Sequence, residues 1–156
     1  MTTEDYPEIF KLSEYAFQYH LSEEDYIKKC EEAKRHQIYG IEIKGRLAGK
    51  LHIIPLEVFI QGKLLTMGGI SSVATWPEYS GKGIAGKLIK HSLTNLRNDH
   101  TMLAYLHPFN AGFYRRFGFE FAFDQIDYTI PIEKLRYPWE QRGFIQRENV
   151  SLNALN

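Results

Sequence analysis

Val73-Ala74-Thr75-Trp76-Pro77-Glu78-Tyr79-Ser80-Gly81-Lys82-Gly83-Ile84-Ala85-Gly86 passes from a β-branched strand pattern, through a glycine-rich turn, into a helix. The helix follows because Ile84, Ala85, Leu88, Ile89, Leu93 and Leu96 recur on one face at helical spacing. A helix start leaves N–H groups unpaired and carries partial positive charge. Glycines let the backbone come close to an anion. Strand, turn and helix together read as a phosphate cradle. A Walker loop ends in Gly-Lys-Ser/Thr, which Gly81-Lys82-Gly83 does not supply. Gly81, Gly83 and Gly86 match the dinucleotide spacing literally, but no convincing acidic residue follows about 20 positions on. A helix start with a flexible turn and no ligand is the third reading.

Upstream, Thr2 and Thr3 precede an acidic turn and open a helix with Ile9, Leu12, Ala16 and Phe17 on one face. Ser22 opens a second helix, with Tyr26, Ile27, Cys30 and Ala33 on its apolar side. Strands follow over 38–44, 47–60 and 64–75, joined by Lys44-Gly45 and Gln61-Gly62 hairpin turns. Pro55 marks an edge or bulge, and the Gly68-Gly69 pair marks a bulge or a close backbone approach. Downstream, the helix from Gly83 to Asn98 is followed by a short strand over 101–106 and a helix over 110–117. Strands over 119–123 and 126–130 complete the pattern, which fades after Pro131. The order predicts an α+β fold with a mixed, mostly antiparallel sheet and helices on both faces.

The balance of 19 basic and 19 acidic residues argues against nucleic acid as a partner. One cysteine, Cys30, excludes an internal disulfide framework. Apolar runs are too short to span a bilayer, and the polar, acidic N-terminus lacks a signal-peptide pattern. A cytoplasmic protein without membrane partners is expected. No His, Cys, Asp and Glu group has metal-ligand spacing.

The turn at Ser80-Gly81-Lys82-Gly83-Ile84-Ala85 resembles the Arg/Gln-x-x-Gly-x-Gly/Ala motif of the GCN5-related N-acetyltransferases (GNAT). Phe113-Tyr114-Arg115-Arg116-Phe117-Gly118-Phe119 is similar to their second hallmark, a Tyr followed four residues later by Gly and an aromatic. Within that superfamily, 67–75 and Tyr105-Leu106-His107-Pro108-Phe109 resemble the Eis-type (enhanced intracellular survival) acetyltransferases.

The resemblance implies the GNAT fold, in which a splayed strand pair leaves a V-shaped gap for acetyl-CoA, a co-substrate. Backbone groups of Val73, Ala74 and Thr75 would pair with the pantetheine arm. N–H groups along Gly81, Lys82, Gly83, Ile84, Ala85 and Gly86 would hold the pyrophosphate, and Phe109 and Asn110 would line the far side. The implied reaction moves acetyl from acetyl-CoA to a primary amine of a small molecule or peptide. Tyr114 would protonate the leaving thiolate, since an ordinary tyrosine keeps its proton at neutral pH. A domain over 1–135 is expected, with 136–156 a C-terminal extension that opens a second domain.

The sequence departs from the pattern at Ser80, where Arg or Gln is usual, and has no strand before its first helix. Eis-type chains carry further domains, so an uncovered face and self-association into a homo-oligomer are expected. A second functional class stays open: an acetyl-CoA-binding or interaction domain with little turnover. A nucleotide-binding domain is a third. Arg115-Arg116 reads either as a contact to CoA phosphates or as a solvated basic turn. Cys30 reads as a small core residue, and His20, His36, His91 and His100 as solvated. His52 and His107 lie nearer the expected cleft, each a candidate base.

Overall fold

The computed structural model of the chain describes residues 1–124 and 126–135. Met1–Glu120 forms one compact unit and Phe121–Asn156 a second. In the first unit, β1 (Gln37–Ile43), β2 (Arg46–Ile60) and β3 (Lys63–Thr75) form an antiparallel meander. β4 (Leu103–Tyr105) adds to β3 in parallel. Both hairpins are tight because two successive residues take left-handed backbone, with φ 53° and 72° at Lys44-Gly45 and 50° and 75° at Gln61-Gly62.

α1 (Tyr6–Phe17) and α2 (Glu23–Ala33) cover one face of the sheet. Ser22 caps α2 by accepting from the Asp25 N–H at 3.1 Å, as its position predicts. The buried face of α1 is Tyr6, Ile9, Phe10, Leu12 and Ser13, whereas Ala16 and Phe17 are exposed. The expected α1 stripe therefore holds only at Ile9 and Leu12. On α2, Ala33 is buried, Tyr26 and Cys30 are partly buried, and Ile27 is exposed.

α3 (Ile84–Asn98) covers the opposite face, burying Ile84, Leu88, Ile89 and Leu96 against Leu51, Ile53 and Ile70. Each such burial contributes about 1.5–3 kcal/mol relative to exposure. Helices thus lie on both faces of a mixed sheet, in agreement with the predicted class. Pro55 stands beyond the last β1 pair, Gln37–Ile53, where β2 has an open edge that tolerates a missing donor.

The Gly68-Gly69 pair marks a close approach: a Cβ on Gly68 would meet Leu96 Cδ2 at 2.6 Å. The bulge on β3 lies further along. The β2–β3 register shifts between Lys50 and His52, where Ser72 takes φ 53°.

After β4, the chain makes the short helix α4 (Ala111–Arg115). The two strands expected over 119–123 and 126–130 do not form; residues 121–124 and 126–130 carry no regular structure. Phe121, Phe123, Ile126, Tyr128 and Ile130 are exposed. Their alternation matches a half-buried strand, but a strand also needs a neighbouring edge to pair with. In the second unit, the regular element among the described residues is a 3-10 turn at Ile132–Leu135. The expected extension over 136–156 lies outside the described residues.

Candidate functional site

β3 pairs with β4 only at Met67–Leu103, Gly68–Ala104 and Gly69–Tyr105. β3 then runs on to Thr75, while β4 ends at Tyr105. The two parallel strands part beyond Gly69, and this leaves one edge of Ile70–Thr75 open on the side away from β2. The Trp76 N–H donates to Ala48 O on β2 at 3.1 Å. Backbone direction alternates along a strand, so Ala74 also faces β2, while Val73 and Thr75 face the open edge. Of the three strand residues expected at the cofactor, Val73 and Thr75 therefore face the open edge, and Ala74 faces the sheet.

The turn that follows ends in left-handed backbone at Gly81 and Gly83, both at φ 73°. Nothing lies within 4 Å of a Cβ built on either, so their role is conformational and leaves the space above them free. Gly83 is the N-cap of α3 and supplies no side-chain cap. The N–H groups of the first α3 turn, Ile84 to Gly86, therefore lack intrahelical acceptors. Lys82 sits with its ammonium 5.1 Å from the Tyr79 ring centroid. Ile84 has its side chain in the core, so only its backbone can meet a ligand. At Gly86 the reason for glycine is packing, since a Cβ there would meet Phe117 at 3.3 Å.

Tyr114 is buried on α4, in one apolar cluster with Ile70, Val73 and Leu106. Phe109, Phe113 and Phe119 meet its ring edge-on at 5.5, 5.1 and 6.1 Å. Burial pushes its phenol above the ordinary value, so it keeps its proton at neutral pH. Phe109 is 76% exposed. Asn110 caps α4, its side chain accepting from the Phe113 N–H at 3.0 Å.

A polar cluster sits across the sheet from α3. Lys50 is fully buried on β2. Its ammonium nitrogen donates to Ser13 Oγ at 2.7 Å and to Ser72 Oγ at the bulge. Ser13 in turn donates to Ile9 O at 3.1 Å. The ion pairs among the described residues involve His20, Lys34 and Arg115, not Lys50. Burial, reinforced by Lys29, pushes the Lys50 amine down to about 7. His52, two residues on, is pushed down to about 3, chiefly by burial and then by Lys50 and His36. His36, expected in solvent, packs on His52 with 3.4 Å between Nδ1 atoms. Burial also lowers its pKa. A buried neutral ring of this kind makes His52 a poor base, and His107 is exposed on the loop before α4. Arg115 pairs with Glu120 at 3.1 Å, and Arg116 lies over the Phe113 ring.

Lys50 and Ser13 carry no motif, Ser72 falls within the 67–75 stretch, and sequence reasoning gave none of the three a role of its own. The available signal was Lys50 and His52 sharing one face of an otherwise apolar strand, a polar pair that reads as solvent-facing. Among the described residues, no group of three or more His, Cys, Asp and Glu side chains is arranged to hold a metal. Among the same residues, no helix is long and apolar enough to cross a membrane.

No curated protein sequence matches the chain. Among solved structures, a conserved protein of unknown function from Enterococcus faecalis V583, described as a probable N-acyltransferase, is 33% identical with a TM-score of 0.74. The match covers 77% of this chain and 31% of that one. A predicted acetyltransferase with acetyl-CoA from Clostridium acetobutylicum is 13% identical, with a TM-score of 0.68 and coverage of 83% and 92%. Eis1 from Mycobacterium abscessus is 17% identical, with a TM-score of 0.64 and coverage of 76% and 30%. The last two likenesses speak for the fold alone. The chain spans about a third of the length of the Enterococcus and Mycobacterium proteins. The strand pair that parts beyond Gly69 and the glycine turn that opens α3 both fall within residues 1–122, the stretch that matches the acetyltransferase (GNAT) domain profile. On that match the chain belongs to the GNAT acetyltransferase family.

Proposed function

We propose that this site transfers an acetyl group from acetyl-CoA to a primary amine of a small molecule or protein by direct attack. The observation that carries the reading is the open β3 edge at Val73 and Thr75, continuous with the left-handed glycine turn at the start of α3. The residues fit the co-substrate. The edge groups of Val73 and Thr75 would hold an extended amide arm, and the N–H groups between Gly81 and Gly86 a pyrophosphate. Phe109 and Asn110, at the start of α4, would line the opposite wall. Bound there, acetyl-CoA supplies an activated thioester. The Val73 edge N–H would donate to the carbonyl oxygen as it gains charge. Tyr114 would give its proton to the departing sulfur.

The finer placement rests on the resemblance of 67–75 and 105–109 to Eis-type enzymes. We assign the reaction to the domain over 1–135, in the cytoplasm. The exposed apolar residues of β2 and β3, Phe59, Ile60 and Leu64 among them, support self-association.

Thiol release on mixing the protein with acetyl-CoA and a panel of polyamines, aminoglycosides and lysine peptides tests the reading. Release with at least one amine is expected. Thermal stabilisation by acetyl-CoA without release would favour the binding-domain alternative. Stabilisation by ATP or NAD and not by CoA would overturn the reading.

A further inference from the structure

An amine that attacks a thioester must first be free of its extra proton, and the residues above name no acceptor for that proton. Lys50 is a fully buried amine without an acidic partner among the described residues. Burial of an ammonium is costly unless a counter-charge meets it. The groups that face Lys50 are Ser13 from α1, Lys29 from α2, and Ser72 and His52 from the sheet, with His36 beyond His52. Two are neutral hydroxyls, and the titratable ones are cationic when charged. These surroundings shift the balance toward the neutral amine, whose lone pair can take a proton.

Ser72 connects this amine to the reaction centre. It precedes Val73, whose backbone faces the open edge, and it occupies the bulge where β3 turns away from regular pairing. Its side chain is half-buried, whereas Lys50 has no exposure of its own. The Ser13 hydroxyl lies 3.1 Å from Ile9 O and 3.4 Å from Ser72 Oγ and accepts from Lys50, which fixes the amine from the other side.

We propose that Lys50, acting through the Ser72 hydroxyl, accepts the proton that the acceptor amine loses. The proposal rests on the acetyl-transfer reading. Ser72 Oγ takes the ammonium proton and passes its own to the Nζ lone pair, leaving a free amine and a Lys50 ammonium. The amine nitrogen bonds to the thioester carbonyl carbon as the C–S bond breaks. Tyr114 gives its proton to the departing sulfur, which keeps the C–S electron pair, and recovers one from the new amide nitrogen. Lys50 then returns its proton to water through Ser72. In sum, one ammonium and one thioester give one amide, one thiol and one released proton.

The test compares the wild type, Lys50→Met and Ser72→Ala in two measurements. In the first, thiol release with an amine taken from the panel is followed against pH. The wild type should lose kcat/KM on the acid side of about 7, the value to which the Lys50 amine is lowered. Both variants should lose that limb and fall by about tenfold or more in kcat, with the acetyl-CoA KM within about twofold. In the second, protein labelled with 13C at the lysine Cε is titrated without acetyl-CoA. One resonance, absent from Lys50→Met, should titrate near 7, and a midpoint near the ordinary 10.5 would overturn the proposal. Thiol release by the variants with the wild-type pH profile would overturn the relay and leave the acetyl-transfer reading standing. No release by the wild type with any amine would overturn both. If Lys50→Met does not fold, Ser72→Ala decides the kinetic arm, because it keeps the amine and its bond to Ser13.

Discussion

Lys50 Nζ donates to Ser13 Oγ across 2.7 Å, tying the middle of β2 to α1 with no carboxylate between them. The tie is a hydrogen bond from an amine that the fold has stripped of water. Its consequences for stability run opposite to those of a surface lysine.

Lys50→Met is expected to stabilise the fold in acid and neutral solution. The folded amine is lowered from 10.5 to about 7, so between those values the unfolded chain binds the proton and the folded chain does not. Stability therefore rises with pH across that window, and the full penalty is present below 7. Against this stand the lost bonds to Ser13 and Ser72, so a net gain of about 1–3 kcal/mol is expected at about pH 6, vanishing by about pH 10. Urea unfolding of both proteins at several pH values checks it. A variant less stable than the wild type at the acid end would contradict it.

His52 governs the next window down. Its ring is lowered to about 3 from 6.5, and its Nε2 is buried without a partner among the described residues. As pH falls below 6.5 the unfolded chain gains a proton that the folded chain refuses, so stability drops between 6.5 and 3. His52→Gln should move the acid-unfolding midpoint down by about half a pH unit or more. Circular dichroism against pH reads this directly, and an unchanged midpoint would show that other groups set acid stability.

Gly68 is held to glycine by Leu96. An added Cβ would fall 2.6 Å and 2.8 Å from the two Leu96 methyl groups, and Leu96 is itself buried in the α3 packing. Gly68→Ala should destabilise by about 1–3 kcal/mol through overpacking. Gly62→Ala, at a hairpin turn with nothing within 4 Å, should show only the strain of its positive φ, about 1 kcal/mol. Thermal unfolding of the pair separates steric from conformational effects, and equal costs at the two sites would contradict the Leu96 contact.

Tyr114→Phe keeps the ring that packs against Phe109, Phe113 and Phe119 and removes only the hydroxyl. Turnover should fall by about 10²-fold, with thermal stability within a degree or two. Steady-state kinetics beside a melting curve measure both. Turnover equal to the wild type would remove the proton-donor role.

Much of the fold was legible because local chemistry wrote it. Lys44-Gly45 and Gln61-Gly62 announce two hairpins, Ser22 a helix cap, and the Ile84-to-Leu96 stripe the helix behind the glycine turn. The failures share a cause. Phe121, Phe123, Ile126, Tyr128 and Ile130 alternate like strands, yet pairing depends on a distant edge that alternation does not encode. Ala16 and Phe17 lie on a helical face whose burial ends one turn earlier, at Ser13. Of the two readings of Gly68-Gly69, a bulge or a close approach, the close approach is what the pair marks; the bulge occurs at Ser72, where a serine takes positive φ without any compositional sign. The glycine turn and Tyr114 stand out in the sequence because each lies in a contiguous motif. Lys50, Ser13 and Ser72 come from three elements, and nothing in a single strand tells a buried lysine from a solvated one.

The central claim is that acetyl-CoA lies along the open edge of β3 and over the turn that opens α3. A crystal structure of the protein with acetyl-CoA tests it most directly. The account predicts the pyrophosphate on the N–H groups between Gly81 and Gly86, and the pantetheine arm on the backbone of Val73 and Thr75. Acetyl-CoA bound elsewhere, with no contact to the Gly81–Gly86 turn, would contradict it.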